Sequence, residues 1–177
     1  GELYCWGYNV VGQLGNLGTV TSNLPVKVFS DGWLRGKTVT DVSLGTNYTC
    51  AIADGKAYCW GVKAQGGTGN NAFNYDYKAP VPVNGLLAGK TVTDIDAGNV
   101  HTCAVADGAA YCWGYNNEGE LGNGDTTRKS SYTPVAVSTA GVLNGKTVTS
   151  VTAGTWASCA IAGGQAYCWG NNQHKQL

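Results

Sequence analysis

The chain has 177 residues, 43% of them hydrophobic and only 12% charged, against about 25% charged in an ordinary globular domain. Eleven basic residues cancel eleven acidic ones, which removes the electrostatic footprint of a nucleic-acid binder, and no apolar run reaches the length of a membrane-spanning helix. With 27 glycines, 6 tryptophans and 7 cysteines, the composition points to a turn-rich β protein anchored by large aromatic side chains.

In chain order, the first element is YCWG at 4–7, followed by a glycine-rich loop and a short strand, LPVKV, at 24–28. GKTVT at 36–40 opens the next strand, and TCAIADGKAYCWG at 49–61 reads as a hairpin. Asp-Gly between two apolar runs is the strongest short hairpin signal, because a type I′ turn needs positive φ at both central residues. Counting outward from Asp54-Gly55 sets Cys50 opposite Cys59 at a non-hydrogen-bonded position, where facing side chains approach most closely. The same count sets Cys103 opposite Cys112 about Asp107-Gly108, and Cys159 opposite Cys168 about Gly163-Gly164. A lone cysteine is commonly a small buried hydrophobe, but opposition repeated in three hairpins predicts cross-strand disulfides. Zinc is the competing use. Structural zinc sites favour paired ligands two to four residues apart; no C-x-x-C occurs, and the two histidines are His101 and His174. No metal or other cofactor is therefore expected. Disulfides persist in oxidising compartments, so the expected location is extracellular or at the cell surface.

The whole pattern repeats. YCWG recurs at 4, 58, 111 and 167, at spacings of 54, 53 and 56 residues. GKTVT returns at 89 and 145, and the PV strand returns as VPV at 81–83 and TPVAV at 133–137. The units are approximately 4–57, 58–110 and 111–166, with a truncated unit at 167–177. Each supplies four short strands and no convincing helical period, which predicts an all-β fold of four-stranded antiparallel propeller blades. Along the hairpin, Tyr58 and Trp60 point to one face while Cys59, Ala57, Ile52 and Cys50 point to the other. Both faces are apolar, as a sheet sandwiched between neighbouring sheets requires. Trp6, Trp60, Trp113 and Trp169 are assigned to packing between blades.

YCWGYNVVGQLGN at 4–16 and YCWGYNNEGELGNG at 111–124 resemble the W-G-x-N-x-x-G-Q-L-G-x-G element of the regulator of chromosome condensation repeat family. AGNVHTCAVADGAAYCWG at 97–114 is similar to a second element of that family. The resemblance spans essentially the whole chain and implies a propeller, commonly seven-bladed, with about one repeat per blade. The paired cysteines resemble an extracellular bacterial branch of these repeats. The chain departs from the family pattern at Tyr48 and Ala157, which replace the histidine found at His101; at Lys63, which replaces the loop asparagine; and at Lys175, which replaces a glycine.

Three units cannot close a ring. The chain opens GELYCWG, ends inside a glycine loop and contains no Met, so it reads as about three blades plus partial repeats at both ends of a longer propeller. Cys5 is then the odd, unpaired cysteine. Its outer blades are expected to meet the rest of a parent propeller or to self-associate.

No catalytic residue is assigned. His101 has Asp94, Asp96 and Asp107 nearby in sequence, yet no nucleophile–base–orienter set forms around it, and a recurring structural position accounts for it. Function is expected where the repeats differ, in the loops after the GQLG element. Phe73, Tyr75 and Tyr77 cluster in the second such loop, and Arg128 with Lys129 lie in the third. Aromatics and Arg dominate binding hot spots, so these five are the candidate contacts; packing of the aromatics onto their own blade is an equal reading. The expected function is non-enzymatic recognition of a protein or cell-surface ligand. A propeller that caps a secreted enzyme is the alternative, and guanine-nucleotide exchange, which the family resemblance implies, sits poorly with disulfides. Asn47-Tyr48-Thr49 matches a glycosylation acceptor, beside a hairpin strand that would restrict access.

Overall fold

The computed structural model describes residues 2–62, 67–71, 76–125 and 127–177. Thirteen strands follow one another: β1 (Tyr4–Gly7), β2 (Ser22–Lys27), β3 (Val39–Leu44), β4 (Tyr48–Ala53), β5 (Lys56–Gly61), β6 (Tyr77–Pro82), β7 (Val92–Ala97), β8 (His101–Ala106), β9 (Ala109–Gly114), β10 (Ser131–Ala136), β11 (Val148–Ala153), β12 (Ala157–Ala162) and β13 (Gln165–Gly170). Helical structure among the described residues is one 3₁₀ turn at Gly85–Leu87.

The strands form four antiparallel sheets. β3–β4–β5–β6 and β7–β8–β9–β10 are complete four-stranded meanders, flanked by the two-stranded β1–β2 and the three-stranded β11–β12–β13. This is an open arc of propeller blades. A blade begins at the TVT strand and ends at the PV strand, so each sequence unit, counted from YCWG, straddles two blades. The prolines of the PV strands, Pro25, Pro80, Pro82 and Pro134, therefore sit in the outermost strand, where a missing N–H is tolerated.

The hairpins adopt the register expected from the turn. Asp54 and Gly55 have φ of 47° and 69°, Asp107 and Gly108 of 50° and 76°, and Gly163 and Gly164 of 57° and 77°. All three are left-handed pairs. Cys50 faces Cys59, Cys103 faces Cys112 and Cys159 faces Cys168, and each pair forms a disulfide, with Cα atoms 4.1, 4.1 and 4.0 Å apart. Where Asp is present, the turn is tied to the preceding GKTVT segment. Asp54 Oδ1 accepts from the Thr38 amide and Asp107 Oδ1 from the Thr91 amide, both at 3.0 Å.

Both faces of the central hairpin of each complete blade are buried. The disulfide face of β4–β5, with Cys50, Ile52, Ala57 and Cys59, packs onto Val92, Ile95, Ala104, Tyr111 and Trp113 of the next blade. The disulfide face of β8–β9 packs in the same way onto Val148, Val151, Ala153 and Ala160. Tyr58 and Trp60, on the other face, join Ala51, Leu14, Val28 and Cys5. The core is thus a series of layers between blades. Burying a single large aromatic or aliphatic side chain in such a layer contributes roughly 1.5–3 kcal/mol, so adhesion between sheets rather than within them dominates. Cys5 holds no disulfide and is buried, and burial pushes its thiol up to about 11.

Candidate functional site

The loops of the blades emerge on two sides. On one side lie the Asp-Gly and Gly-Gly turns with the connections that carry GKTVT. On the other lie the short turns before β4, β8 and β12 and the long variable loops after β1, β5, β9 and β13. The second side is the loop face.

A repeated clamp holds this face in place. The backbone carbonyl of Gln13 accepts from the Thr49 hydroxyl at 2.8 Å and from Trp60 Nε1 at 2.9 Å. The Gly67 carbonyl accepts from Thr102 and Trp113 at 2.8 Å each. The Glu120 carbonyl accepts from Ser158 and Trp169 at 2.8 Å each. In every case a carbonyl of one blade's glycine loop meets a hydroxyl and an indole of the next blade, so the loop is fixed to its neighbour by two hydrogen bonds. The glycine two residues on in each loop must lack a side chain. A Cβ on Gly15, Gly69 or Gly122 would lie 2.5 Å from the indole nitrogen of Trp60, Trp113 or Trp169. Asn9 and Asn116 brace the loops from within, their Oδ1 atoms accepting from the Leu14 and Leu121 amides at 2.9 and 3.0 Å. Asn172 does the same for Leu177 at 3.2 Å. Lys175 takes the glycine position of this turn at a φ of 60°, so the turn survives the substitution.

The residues before the first two clamp hydroxyls, Tyr48 and His101, reach forward to the next blade. Tyr48 donates to the His101 carbonyl at 2.7 Å, and its hydroxyl oxygen lies 2.9 Å from Thr102 Oγ1. His101 Nε2 bonds Ser158 Oγ at 2.8 Å. Burial lowers the His101 imidazole to about 4, against a smaller raising influence of Asp96, so the ring is neutral in the folded protein. The inner strands are joined by carboxylates. Asp96 accepts from Ser43 at 2.8 Å, from Thr152 at 3.0 Å and from the Ala153 amide at 2.7 Å, linking three consecutive blades. Asp94 accepts from the Val151 amide at 2.7 Å. Among the described residues no group of three or more His, Cys, Asp or Glu side chains is arranged to hold a metal ion.

Phe73 and Tyr75 lie outside the described residues. Tyr77 opens β6 opposite Gly61 and is half-buried against the Trp60 layer, so only part of its ring is open to a partner. Arg128 and Lys129 are exposed. Arg128 has a φ of 53°, and its Nη1 donates to the Asn117 carbonyl at 3.3 Å, while the Lys129 carbonyl accepts from Asn116 at 3.4 Å. These two lie on the blade next to that of Tyr77. The clamp was not foreseen from sequence. The signal for it was present as the hydroxyl residue before the first cysteine of every hairpin: Thr49, Thr102 and Ser158.

Stacked antiparallel blades, sealed by disulfide-bearing faces and presenting clamped variable loops on one side, define a β-propeller recognition scaffold. The chain belongs to the regulator of chromosome condensation (RCC1) repeat family, whose pattern matches residues 1–52, 54–105 and 107–161. It is 33% identical over 155 residues to the human E3 ubiquitin-protein ligase HERC2, covering 86% of this chain and 3% of HERC2. It is 29% identical over 180 residues to the ultraviolet-B receptor UVR8 of Arabidopsis thaliana, covering 100% of this chain and 39% of UVR8. The chain thus spans well under half the length of these relatives. Among solved structures it superposes on human WBSCR16 with a TM-score of 0.83 at 22% identity, covering 97% of this chain and 44% of that one. Yeast RCC1 (Prp20), solved bound to Kap60, gives a TM-score of 0.79 at 22% identity over 99% of this chain and 42% of that one. These likenesses establish the fold. No helix among the described residues is long and apolar enough to cross a membrane, a statement that leaves β-barrels aside.

Proposed function

We propose that the chain is an extracellular recognition module: part of a β-propeller whose variable loop face binds a protein or cell-surface ligand and performs no chemistry of its own. The observation that carries this reading is the division of labour in each repeat. Trp, Gly and Thr/Ser are spent on the same clamp at each of the three interfaces, while the loop mounted on that clamp differs in each unit. A rigid frame with variable loops is the usual construction of a binding surface. The neutral His101, bonded to Ser158 inside the sheet stack, serves as a strut. Three disulfides within single hairpins favour an oxidising compartment and weigh against guanine-nucleotide exchange in the cytosol or nucleus. Yeast RCC1 bound to Kap60 is a precedent for a propeller of this fold engaging a protein.

The test is binding of the labelled chain to intact cells and, in parallel, to secreted hydrolases. Arg128→Ala with Lys129→Ala is expected to weaken binding to cells while leaving the far-UV spectrum unchanged. Isolation of the protein from its native location with all seven thiols reactive would overturn the extracellular assignment, and tight inhibition of a hydrolase would replace recognition with enzyme capping.

A further inference from the structure

The loop face carries a cavity that none of the candidate contacts lines. It lies where the β7–β10 blade meets the β11–β13 blade and has a volume of about 320 Å³. Two aromatic rings form part of its wall. Trp156, in the turn before β12, is 41% exposed, and Tyr115, just after β9, meets it edge-on with ring centroids 5.4 Å apart and planes at 61°. Both are fixed through their backbones. The Tyr115 amide donates to the Val100 carbonyl at 3.0 Å, and the Trp156 carbonyl accepts from the Asn171 amide at 2.8 Å.

The rest of the wall is polar, and no Lys or Arg is part of it. Asn171, Gln173 and Gln176 bring three uncharged amides, beside His174 and Glu118. The amides are partly organised already. Gln176 Nε2 donates to Asn171 Oδ1 at 2.9 Å, and Gln176 Oε1 accepts from the His174 amide at 2.9 Å. Among the described residues the Gln173 side chain, the Tyr115 hydroxyl and the Trp156 indole N–H have no hydrogen-bond partner, so donors and acceptors remain available to a ligand.

We propose that this cavity is a binding site for a neutral saccharide. The chemistry that would recognise such a ligand is a partly exposed indole, which takes the C–H face of a pyranose ring, next to groups that both donate and accept, as Asn and Gln amides do, and so match adjacent hydroxyls. Trp and Tyr serve this purpose well because each pairs a broad apolar ring with one polar tip. With Glu118 as the charged side chain of the wall and no cation, a phosphate or acidic sugar is disfavoured. An extended peptide is less well matched, because the site is a partly open hollow between two turns and not a strand edge. The proposal rests on the loop face being the recognition face, and it names the ligand chemistry for one part of that face.

The experiment is saturation-transfer NMR on the full 177-residue chain with neutral oligosaccharides ending in glucose, galactose or N-acetylglucosamine. Transfer to at least one of them is expected. Trp156→Ala should abolish it, Trp156→Phe should retain it, and Gln173→Ala should weaken it by about tenfold, the loss of a good contact at a binding site. All three variants are expected to keep the wild-type far-UV spectrum; should Trp156→Ala lose it, Tyr115→Ala takes its place in the comparison. No transfer from any sugar, transfer undiminished by Trp156→Ala, or transfer from short peptides alone would overturn the proposal. Absence of sugar binding together with Arg128/Lys129-dependent cell binding would sink the saccharide site and leave the recognition module standing.

Discussion

The second blade, β7–β10, and the third, β11–β13, use nearly the same hairpin sequence and end in different environments. In the second, Cys103, Val105, Ala110 and Cys112 are sealed beneath the third blade and Trp113 has no exposed surface. In the third, the corresponding Ile161, Ala166 and Cys168 are exposed, although strand pairing, turn geometry and disulfide are the same. A hairpin of this kind is therefore specified by its own residues. Its burial, and most of the energy that goes with burial, comes from the neighbouring blade.

The sharpest test of that difference is the indole. Trp113→Ala removes a fully buried side chain and leaves Thr102 alone on the Gly67 carbonyl, so it should cost about 3–5 kcal/mol. Trp169→Ala, at a half-exposed ring, should cost clearly less, and Trp6→Ala, 62% exposed, least of all. Urea denaturation of the three variants checks the order, and equal costs would mean that burial between blades is not the main source of stability.

Next in size is the pH response of His101, a group the third blade lacks because Ala157 stands in its place. Burial lowers its imidazole from 6.5 to about 4. A depressed folded value means that protonation favours the unfolded chain. The contribution of this site is complete above about 6.5 and is lost progressively as the pH falls toward 4. Thermal midpoints measured across that window should fall more steeply for the wild type than for His101→Tyr, which copies the residue used at Tyr48. Parallel curves would show that the histidine does not titrate in this way.

The disulfides should part company too. Each closes a loop of about ten residues and contributes roughly 2–3 kcal/mol on the chain-entropy view, but only Cys159–Cys168 has an exposed sulfur-bearing residue. Mild reductant followed by alkylation and peptide mapping should label Cys159 and Cys168 well before Cys103 and Cys112. Simultaneous labelling would mean that the blades separate as easily as they expose an edge.

The smallest contrast lies within one loop. Gly122→Ala places a methyl group against the Trp169 indole, and Gly119→Ala meets nothing within 4 Å, though both positions have positive φ. The first should cost about 1–3 kcal/mol from overpacking beyond the left-handed strain that both share. Thermal melts of the pair isolate the contact; equal shifts would place the whole effect in the backbone.

Much of this fold was legible from the chain alone. Asp54-Gly55 and its counterparts set the turn type, the turn set the register, and the register set the cysteine pairs, because each step depends on residues fewer than ten positions apart. The repeat period then indicated blades, and the two apolar faces of TCAIADGKAYCWG indicated that they stack. The phase of the repeat was harder to read. A unit counted from its most conspicuous motif, YCWG, begins with the third strand of a blade, because a repeating sequence has no marked origin and only hydrogen bonding between strands decides where a sheet starts.

The candidate site was legible only in part. Variable loops can be found by comparing repeats, which is how Arg128 and Lys129 became candidates, but a loop's composition does not say which of its rings turn inward, as Tyr77 partly does. The clamp joins Gln13 to Trp60 and Glu120 to Trp169 across 47 and 49 residues, and the carbonyls that anchor it carry no side-chain signature. Trp156 and Tyr115 come from different blades and meet because two blades pack at a fixed angle. The sequence by itself determined strand order, turn geometry and disulfide pairing, since these follow from local sterics and the alternation of side chains along a strand. Tertiary structure alone decided which of the equivalent faces, indoles and loop residues are sealed and which are open to a ligand, since burial depends on what the neighbouring blade presents.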